Sequence, residues 1–523
     1  MAVARAQRRI WKVPAMSIII LNDPTYGVVL FGDTQDELIA SQVGLSQTLA
    51  ETYTVDEHGD SIPLDYQVGD ASGIRGNALG GDDHITSYGS AVGDAFTLAE
   101  HGRGGMDTIF AHSGHGSAFG DALTMTGHAS GGDDLITIFN DSFGGWDGSM
   151  FGDAKLMTDD ARGGNDTLKG LSDHLSDEVV LYGDALEMNG RAQGGDDILA
   201  GDMWTSNYQY GDAQTLSEQA RGGNDRLFGG DYSWTELNGD AYLLTDNAVG
   251  GNDLITGGSA YDVSEGANDM LGDGYQLAGH AIAGDDVLIG GRGDSNTMWG
   301  DGVLIGPDVT RGHNRFVISP SGEIDTLKDF NPGHDQIVLA GFTYTAFADI
   351  AGAIHPTDTG VQIDLGADGL VIVEGVTQLT AADVTFDANA RKVAGGSHND
   401  VLTAAGGNNA FHGGLGDDTF IIQAVGLANS VGGSTQGVGA DSVIWDFAGA
   451  GGTPAGANDL LQLQGFGPGS TLTFLRFGGL RAGGPDPTLQ YYSVHDTMGG
   501  PNHVLFVHSL NGQLLTSADY GFI

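Results

Sequence analysis

The stretch YGDALEMNGRAQGGDDIL (182–199) returns as YGDAQTLSEQARGGNDRL (210–227) and as NGDAYLLTDNAVGGNDLI (238–255). Each copy carries a Gly-Asp step and then a Gly-Gly-x-Asp step. Across residues 68–314 the first aspartates are Asp70, Asp94, Asp121, Asp153, Asp184, Asp212, Asp240, Asp273 and Asp301. The second are Asp83, Asp107, Asp134, Asp166, Asp197, Asp225, Asp253 and Asp286, and Asn314 stands in the ninth place. Within a unit the two steps are always 13 residues apart, as from Asp184 to Asp197. Between units the spacing runs from 24 (Asp70 to Asp94) to 33 (Asp240 to Asp273). A rigid element joined by connections that tolerate insertion is the pattern of a solenoid.

Locally the units read as strands. Apolar side chains dominate two and four residues after the first aspartate, as at Leu186 and Met188, Tyr242 and Leu244, Tyr275 and Leu277, and Val303 and Ile305. That alternation has period two. Two residues after the second aspartate comes Ile85, Ile109, Ile136, Leu168, Leu199, Leu227, Ile255 or Leu288. Each half-unit is therefore a turn, an aspartate and a short strand. Stacked turns are expected to bury the apolar residues in one continuous inner column and to leave the aspartates at the turns.

Composition narrows the class. Glycine makes up 89 of 523 residues while proline stays at 12, and 40% of the chain is hydrophobic, enough for a core. Twenty Lys and Arg face 69 Asp and Glu, a formal net charge of −49. Such a chain repels nucleic acid and anionic membrane, so neither is an expected partner. A solubilising, halophile-like acidic surface is one reading of that charge; neutralisation by bound cations is the other. There is no cysteine, so a staple other than a disulfide is needed, and metal is the obvious one. No apolar stretch approaches 18 residues. Arg5, Arg8, Arg9 and Lys12 precede an apolar run, Ile18 to Leu21, too short for a signal peptide, and Met16 is an alternative start.

The residue types at the two steps suit calcium, a hard cation that takes six to eight oxygens from carboxylates and backbone carbonyls. Glycine allows a turn tight enough to aim carbonyls at one ion. Asp is short enough to ligate from the turn, and the aliphatic residue two places on anchors the strand. Ordinary turn chemistry also favours Gly and Asp. Seventeen aspartates in fixed register in so acidic a chain exceed what turns require, because stacked carboxylates without a cation destabilise an array.

At these residues the chain resembles the repeats-in-toxin family of calcium-binding proteins, whose nonapeptide is G-G-x-G-x-D-x-(aliphatic)-x. GGSHNDVLT, AAGGNNAFH and GGLGDDTFI run consecutively at 395–421, with Asp400 and Asp418 on the aspartate position and Asn409 in the middle copy. In the main array GRGGMDTIF (102–110) fits nearly fully, most units lack the first glycine pair, and GGRGDSNTM (290–298) carries Ser295 where Asp belongs. The resemblance implies a parallel β-roll with several calcium ions between stacked turns.

A larger module occurs twice. IDTLKDF, DQIVLAGF and LTAADVTF in residues 316–387 correspond to DSVIWDF, DLLQLQGF and LTSADYGFI in residues 420–523. The module resembles the segment that follows the roll in serralysin-type and related type I exported proteins. There an uncleaved signal ends in an acidic residue and apolar residues, which Asp519, Tyr520, Phe522 and Ile523 match loosely. The resemblance implies the type I secretion machinery as a partner and an extracellular or cell-surface location.

The expected fold is all-β: a parallel β-roll or β-helix solenoid of calcium-binding repeats over 68–314, after an N-terminal region 1–67. Two related β modules follow at 315–390 and 425–523, separated by a short nonapeptide roll at 391–424. No H-E-x-x-H or G-x-S-x-G occurs, and histidines such as His112, His115 and His128 are scattered. The expected role is non-enzymatic: structural, matrix, surface-layer or adhesive, with cell-surface polysaccharide or self-assembly as the partner. Trp146, Trp204 with Tyr208, and Trp234 in the variable connections either fill gaps beneath loops or stack on sugar rings, whereas Trp299 occupies the strand place of Tyr182 and Tyr210 and is expected in the core. A polysaccharide-modifying enzyme on a β-helix and a calcium-dependent glycan-binding module are the alternatives.

Overall fold

The protein's structure, a computed structural model, describes residues 19–523 apart from 24–26, 35, 40–41, 50–53, 56–60, 63–64, 88, 114–115, 141–148, 173–177, 202–205, 231–232, 259–266, 292–294, 319–323, 341, 343, 388–390, 395–400, 405–408, 413–416, 425–441, 452–457, 482–483 and 498–502. One coil explains the rest. Strand Glu178–Tyr182 runs into the Gly183-Asp184 corner, and strand Ala185–Met188 leaves it. A turn leads to Gln193, which bridges to Arg162 and Arg221 in the coils on either side. The Gly194-Gly195-Asp196-Asp197 corner then opens strand Ile198–Ala200.

Successive coils stack in parallel, so each strand belongs to a long sheet. Three sheets run along the array, of 15, 8 and 12 strands in the order in which each coil visits them. Glu178 pairs with Ser206 and then Ser206 with Trp234, and Ile198 pairs with Arg226 and then Arg226 with Leu254. The chain is therefore nearly all-β, with helix Phe347–Ile350 its one α-helix among the described residues, and its long sheets form a parallel solenoid. The coil length varies between the third strand of one coil and the first strand of the next, which leaves the 13-residue element constant.

The period-two expectation fails in the second sheet. Ala185 pairs with Ala213, Glu187 with Thr215 and Met188 with Leu216, so the ladder omits Leu186. The chain bends there, and the buried positions fall one and four residues after the aspartate, at Ala185 and Met188. Tyr242, two after Asp240, is exposed and stacks outside the coil on Tyr275, with ring centres 5.0 Å apart. The aliphatics two residues after the second aspartate, from Ile85 to Leu288, are buried as expected.

The interior holds two apolar columns instead of one. Leu168, Leu181 and Leu199 belong to the first. Ala185, Met188 and Ala192 belong to the second. Along the chain Asp184 and Asp197 stand where it passes from one column to the other. A third strip covers the outside of the Gly-Asp corner, where Phe119, Phe151, Tyr182 and Tyr210 stack face to face at 4.9 to 5.0 Å. That spacing is the distance between neighbouring strands, so each coil supplies one ring. Trp299 shares this register, opposite Leu271, on the outer strip and not in the hollow, and it is half-buried where Tyr182, Tyr210 and Leu271 are buried.

The array extends beyond 68–314 at both ends. Gly27–Phe31 pairs in parallel with Tyr66–Val68, and the antiparallel strand Ile19–Asp23 covers its outer edge. Downstream, Ile324–Leu327 and Leu370–Glu374 continue the first sheet, while Gln336–Ala340 and Val384–Asp387 continue the third. Antiparallel strands Gly360–Asp364 and Ile354–Pro356 finish that end. Covered edges suit a solenoid whose open ends would otherwise template pairing with other chains.

Strands Arg391–Ala394, Val401–Ala404, Asn409–His412 and Thr419–Gln423 pair differently. Arg391 pairs with Asn409 and Val401 with Thr419, each two nonapeptides on. Consecutive nonapeptides thus feed alternate sheets, two to a turn, as in a roll. The last strands complete a 6-stranded and a 4-stranded sheet around Phe411, Phe420, Phe447 and Leu461.

Candidate metal centre

All seventeen array aspartates point inward: their residues are 0–3% exposed. They form two carboxylate columns, the first of the first aspartates and the second of the second aspartates of successive coils, and each has its own hydrogen-bond rule. In the second column one carboxylate oxygen accepts the backbone N–H of the second aspartate in the preceding coil. Asp166 N donates to Asp197 Oδ1 at 2.6 Å, Asp197 N to Asp225 Oδ1 at 2.7 Å and Asp225 N to Asp253 Oδ1 at 2.8 Å. In the first column the bond closes within the coil. Gly195 N donates to Asp184 Oδ1 at 2.8 Å and Gly223 N to Asp212 Oδ1 at 2.6 Å.

In fifteen of the seventeen, all but Asp94 and Asp301, the other oxygen accepts no hydrogen bond. Asp70 Oδ1 and the Oδ2 atoms of Asp83, Asp107, Asp121, Asp134, Asp153, Asp166, Asp184, Asp197, Asp212, Asp225, Asp240, Asp253, Asp273 and Asp286 are buried and unpartnered. These oxygens lie where glycine leaves room, in the first column beside the hydrogen-bonded oxygen of the next coil's aspartate. A Cβ on Gly194 would lie 2.0 Å from Asp212 Oδ1 and 2.4 Å from Asp184 Oδ2. A Cβ on Gly183 would lie 1.6 Å from the Gly211 carbonyl oxygen and 2.3 Å from Asp197 Oδ2. Alanine at either place would drive a methyl group into an oxygen cluster. Among the described residues no three His, Cys, Asp or Glu side chains converge as a metal cluster. The carboxylates meet in pairs, or singly with backbone carbonyls.

Burial dominates the electrostatics. It raises Asp70 to about 7, Asp83 to about 8, and Asp153 and Asp240 to about 6. Asp184 and Asp225 are raised well above the ordinary range, first by burial and then by the charges of neighbouring aspartates in both columns. Buried like charges at this density need protons or cations. The donor set is all oxygen, anionic and flexible in number, which fits calcium better than magnesium, whose octahedral demand and tight hydration disfavour all-protein sites. Asp184, Asp197, Asp212 and their equivalents, with the corner glycine carbonyls, would hold the ions.

Asp418, in the nonapeptide roll, continues the ladder rule: its N–H donates to Asp459 Oδ1 of the second module at 2.8 Å. Asp400 lies outside the described residues, as do His115, Trp146 and Trp204. Trp234 is exposed and packs edge-on against Tyr208 at 5.3 Å. His128 stacks on His101 at the surface.

Several groups escaped the sequence reading. Asp335 and Asp459 occupy matched places in the two modules. Asn331 N and Ala448 N each donate to their Oδ2 at 2.7 Å. Thr380 and Thr516 do the same for Asp383 and Asp519. From Asp133 to His313 the residue before the second aspartate's place forms an outer ladder, as in Asn224 N to Asp196 Oδ1 at 2.8 Å. The signal was the recurrence of Asp or Asn at the x of G-G-x-D. An extra coil precedes Asp70: Asp33 N donates to the Asp70 carbonyl, and Gln47 takes the second-column place.

The fold and the two carboxylate columns make this chain a parallel β-solenoid repeat protein with an acidic interior. Compared with known proteins, it matches no family model, no curated protein and no solved structure.

Proposed function

We propose that the protein is a secreted, calcium-binding repeat protein that folds on extracellular calcium and serves a non-enzymatic structural, matrix, surface-layer or adhesive role. One observation carries the reading: two files of buried, inward carboxylate oxygens with no hydrogen-bond donor, set against corner carbonyls that only glycine leaves accessible. Without cations or protons, each such oxygen costs more than the fold can recover at this density. Calcium at extracellular concentration supplies the missing charge, and its scarcity in the cytosol keeps the acidic chain loose for export. The resemblance of the nonapeptide roll and the doubled module to type I exported proteins supports that route.

The test is far-UV circular dichroism with light scattering, titrating calcium into chelator-treated protein with magnesium as control. A cooperative gain of β-structure with calcium alone, at about 0.1–10 mM, is the expected result. Particle growth in the same titration assigns a layer or matrix role. Full β-structure in chelator, unchanged by calcium, refutes the reading.

A further inference from the structure

The coils carry a glycine ten residues after the first aspartate, and its missing side chain opens the gap between successive carboxylates. At Gly104, Gly131, Gly163, Gly194, Gly222 and Gly250 a Cβ would meet oxygens of two consecutive first-column aspartates. The series then breaks twice. Ala283 holds the place in the next coil, and Arg311 in the last.

Arg311 turns into the gap. Its Nε donates to Asp301 Oδ2, and its Nη2 donates to the Asp329 backbone oxygen at 2.6 Å and to Asp329 Oδ2 at 3.1 Å. Asp329 belongs to the chain's next turn, and its carboxylate accepts the N–H groups of Gly300 and Asp301 at 2.6 and 3.0 Å. The guanidinium therefore lies between Asp301 and Asp329, as the Gly194 gap lies between Asp184 and Asp212. Asp301, unlike its neighbours Asp240 and Asp273, has no unpartnered oxygen. Asn314 Nδ2 also donates to Asp301 Oδ1 at 3.0 Å, in the coil where an amide replaces the second aspartate. The opposite end uses the same device: Gln47 Nε2 donates to Asp33 Oδ1 at 2.7 Å.

We propose that Arg311 is a tethered cation that fills the last first-column gap, so that the file of bound ions stops before it, and that glycine in its place opens a further calcium site between Asp301 and Asp329. This rests on the calcium reading above. The residue types follow the chemistry: of the two side chains that replace the glycine, Ala283 adds only a methyl group, and the long one, Arg311, carries the positive charge that the two carboxylates require.

The experiment counts calcium per chain by equilibrium dialysis and elemental analysis on the full-length protein, in the wild type, Arg311→Gly, Arg311→Gly with Asp329→Asn, and Arg311→Lys. Arg311→Gly is expected to bind one more calcium than the wild type and to melt with a steeper dependence on calcium concentration. Adding Asp329→Asn should remove the extra ion, and Arg311→Lys should keep the wild-type count. An unchanged count in Arg311→Gly, with the same loss of melting temperature at low and high calcium, overturns the proposal. So does an Arg311→Gly protein that fails to fold at high calcium while Arg311→Lys folds normally. A wild type that binds no calcium would sink the calcium reading itself, and this proposal with it.

Discussion

Asp184 Oδ2 and Asp212 Oδ1, from successive coils, approach the same point in the solenoid, 2.4 and 2.0 Å from where a Gly194 Cβ would sit. Gly194→Ala places a methyl group at that point. The variant should bind one calcium fewer, and its stability in saturating calcium should fall by roughly 1–3 kcal/mol through overpacking. Ala283 shows that the fold accepts a methyl at this position of the coil. Calcium counting and denaturant unfolding in calcium check the expectation; an unchanged calcium count would place the ions elsewhere.

Asp225 tests the second column. Its Oδ1 accepts the Asp197 N–H at 2.7 Å, while its Oδ2 is buried without a donor near the Gly239 carbonyl. Asn314 shows that an amide keeps the ladder: Asp286 N donates to Asn314 Oδ1 at 2.9 Å. Asp225→Asn should therefore keep the bond, remove one buried charge and turn an orphan acceptor into a donor facing a carbonyl. The expected gain in chelator is roughly 1–3 kcal/mol, with less bound calcium. A variant that is less stable than the wild type in chelator would mean that the carboxylate is not a burden there.

How much of this was legible follows from what repeats. The fixed Asp184 to Asp197 offset disclosed the solenoid and both columns, because ladder positions cannot drift without breaking register. The direction of the side chains was less legible. Leu186 and Met188 look alike on a period of two, yet the corner bend drops Leu186 from the ladder and turns Ala185 inward instead. A small alanine carries little hydrophobic signal, so the second apolar column was hidden. The ends were hidden too. Gln47, Arg311 and Asp329 break the motif, and a motif reading discards what departs from it. The offset of ten from Asp301 puts Arg311 on the glycine place, but its contacts with Asp301 and Asp329 cross coils and are set by the fold.

Acid should substitute for calcium. Burial raises the folded-state pKa of Asp153 and Asp240 to about 6, of Asp70 to about 7 and of Asp83 to about 8, above the unfolded value near 3.9. In that window the folded state binds more protons than the unfolded one, so in chelator stability falls as pH rises from about 4 to about 8. The chelated protein should be more resistant to denaturant at pH 5 than at pH 8. Saturating calcium holds the carboxylates ionised, so the dependence should flatten or reverse. Denaturant midpoints at both pH values, with and without calcium, give the sign. A chelated protein more stable at pH 8 would contradict the buried-carboxylate account.

The turn after the second strand offers a test independent of metal. Its residue adopts a left-handed conformation in coil after coil: Gly127, Gly190 and Gly279 have φ of 74°, 72° and 66°. Glu100, Asp159, Glu218 and Asp246 hold the same place with φ of 61° to 64°. A side chain there crowds its own carbonyl at a cost of about 1–2 kcal/mol, part of which glycine's extra unfolded-state freedom offsets. Glu218 is exposed, and Glu218→Gly should stabilise the calcium-loaded protein by about 0.5–1 kcal/mol. Glu187 is an equally exposed glutamate within strand Ala185–Met188, so Glu187→Gly should cost about 0.5–1 kcal/mol. Thermal midpoints of the two variants should move in opposite directions. Equal losses would mean that the turn is held by its side chain and not by its backbone.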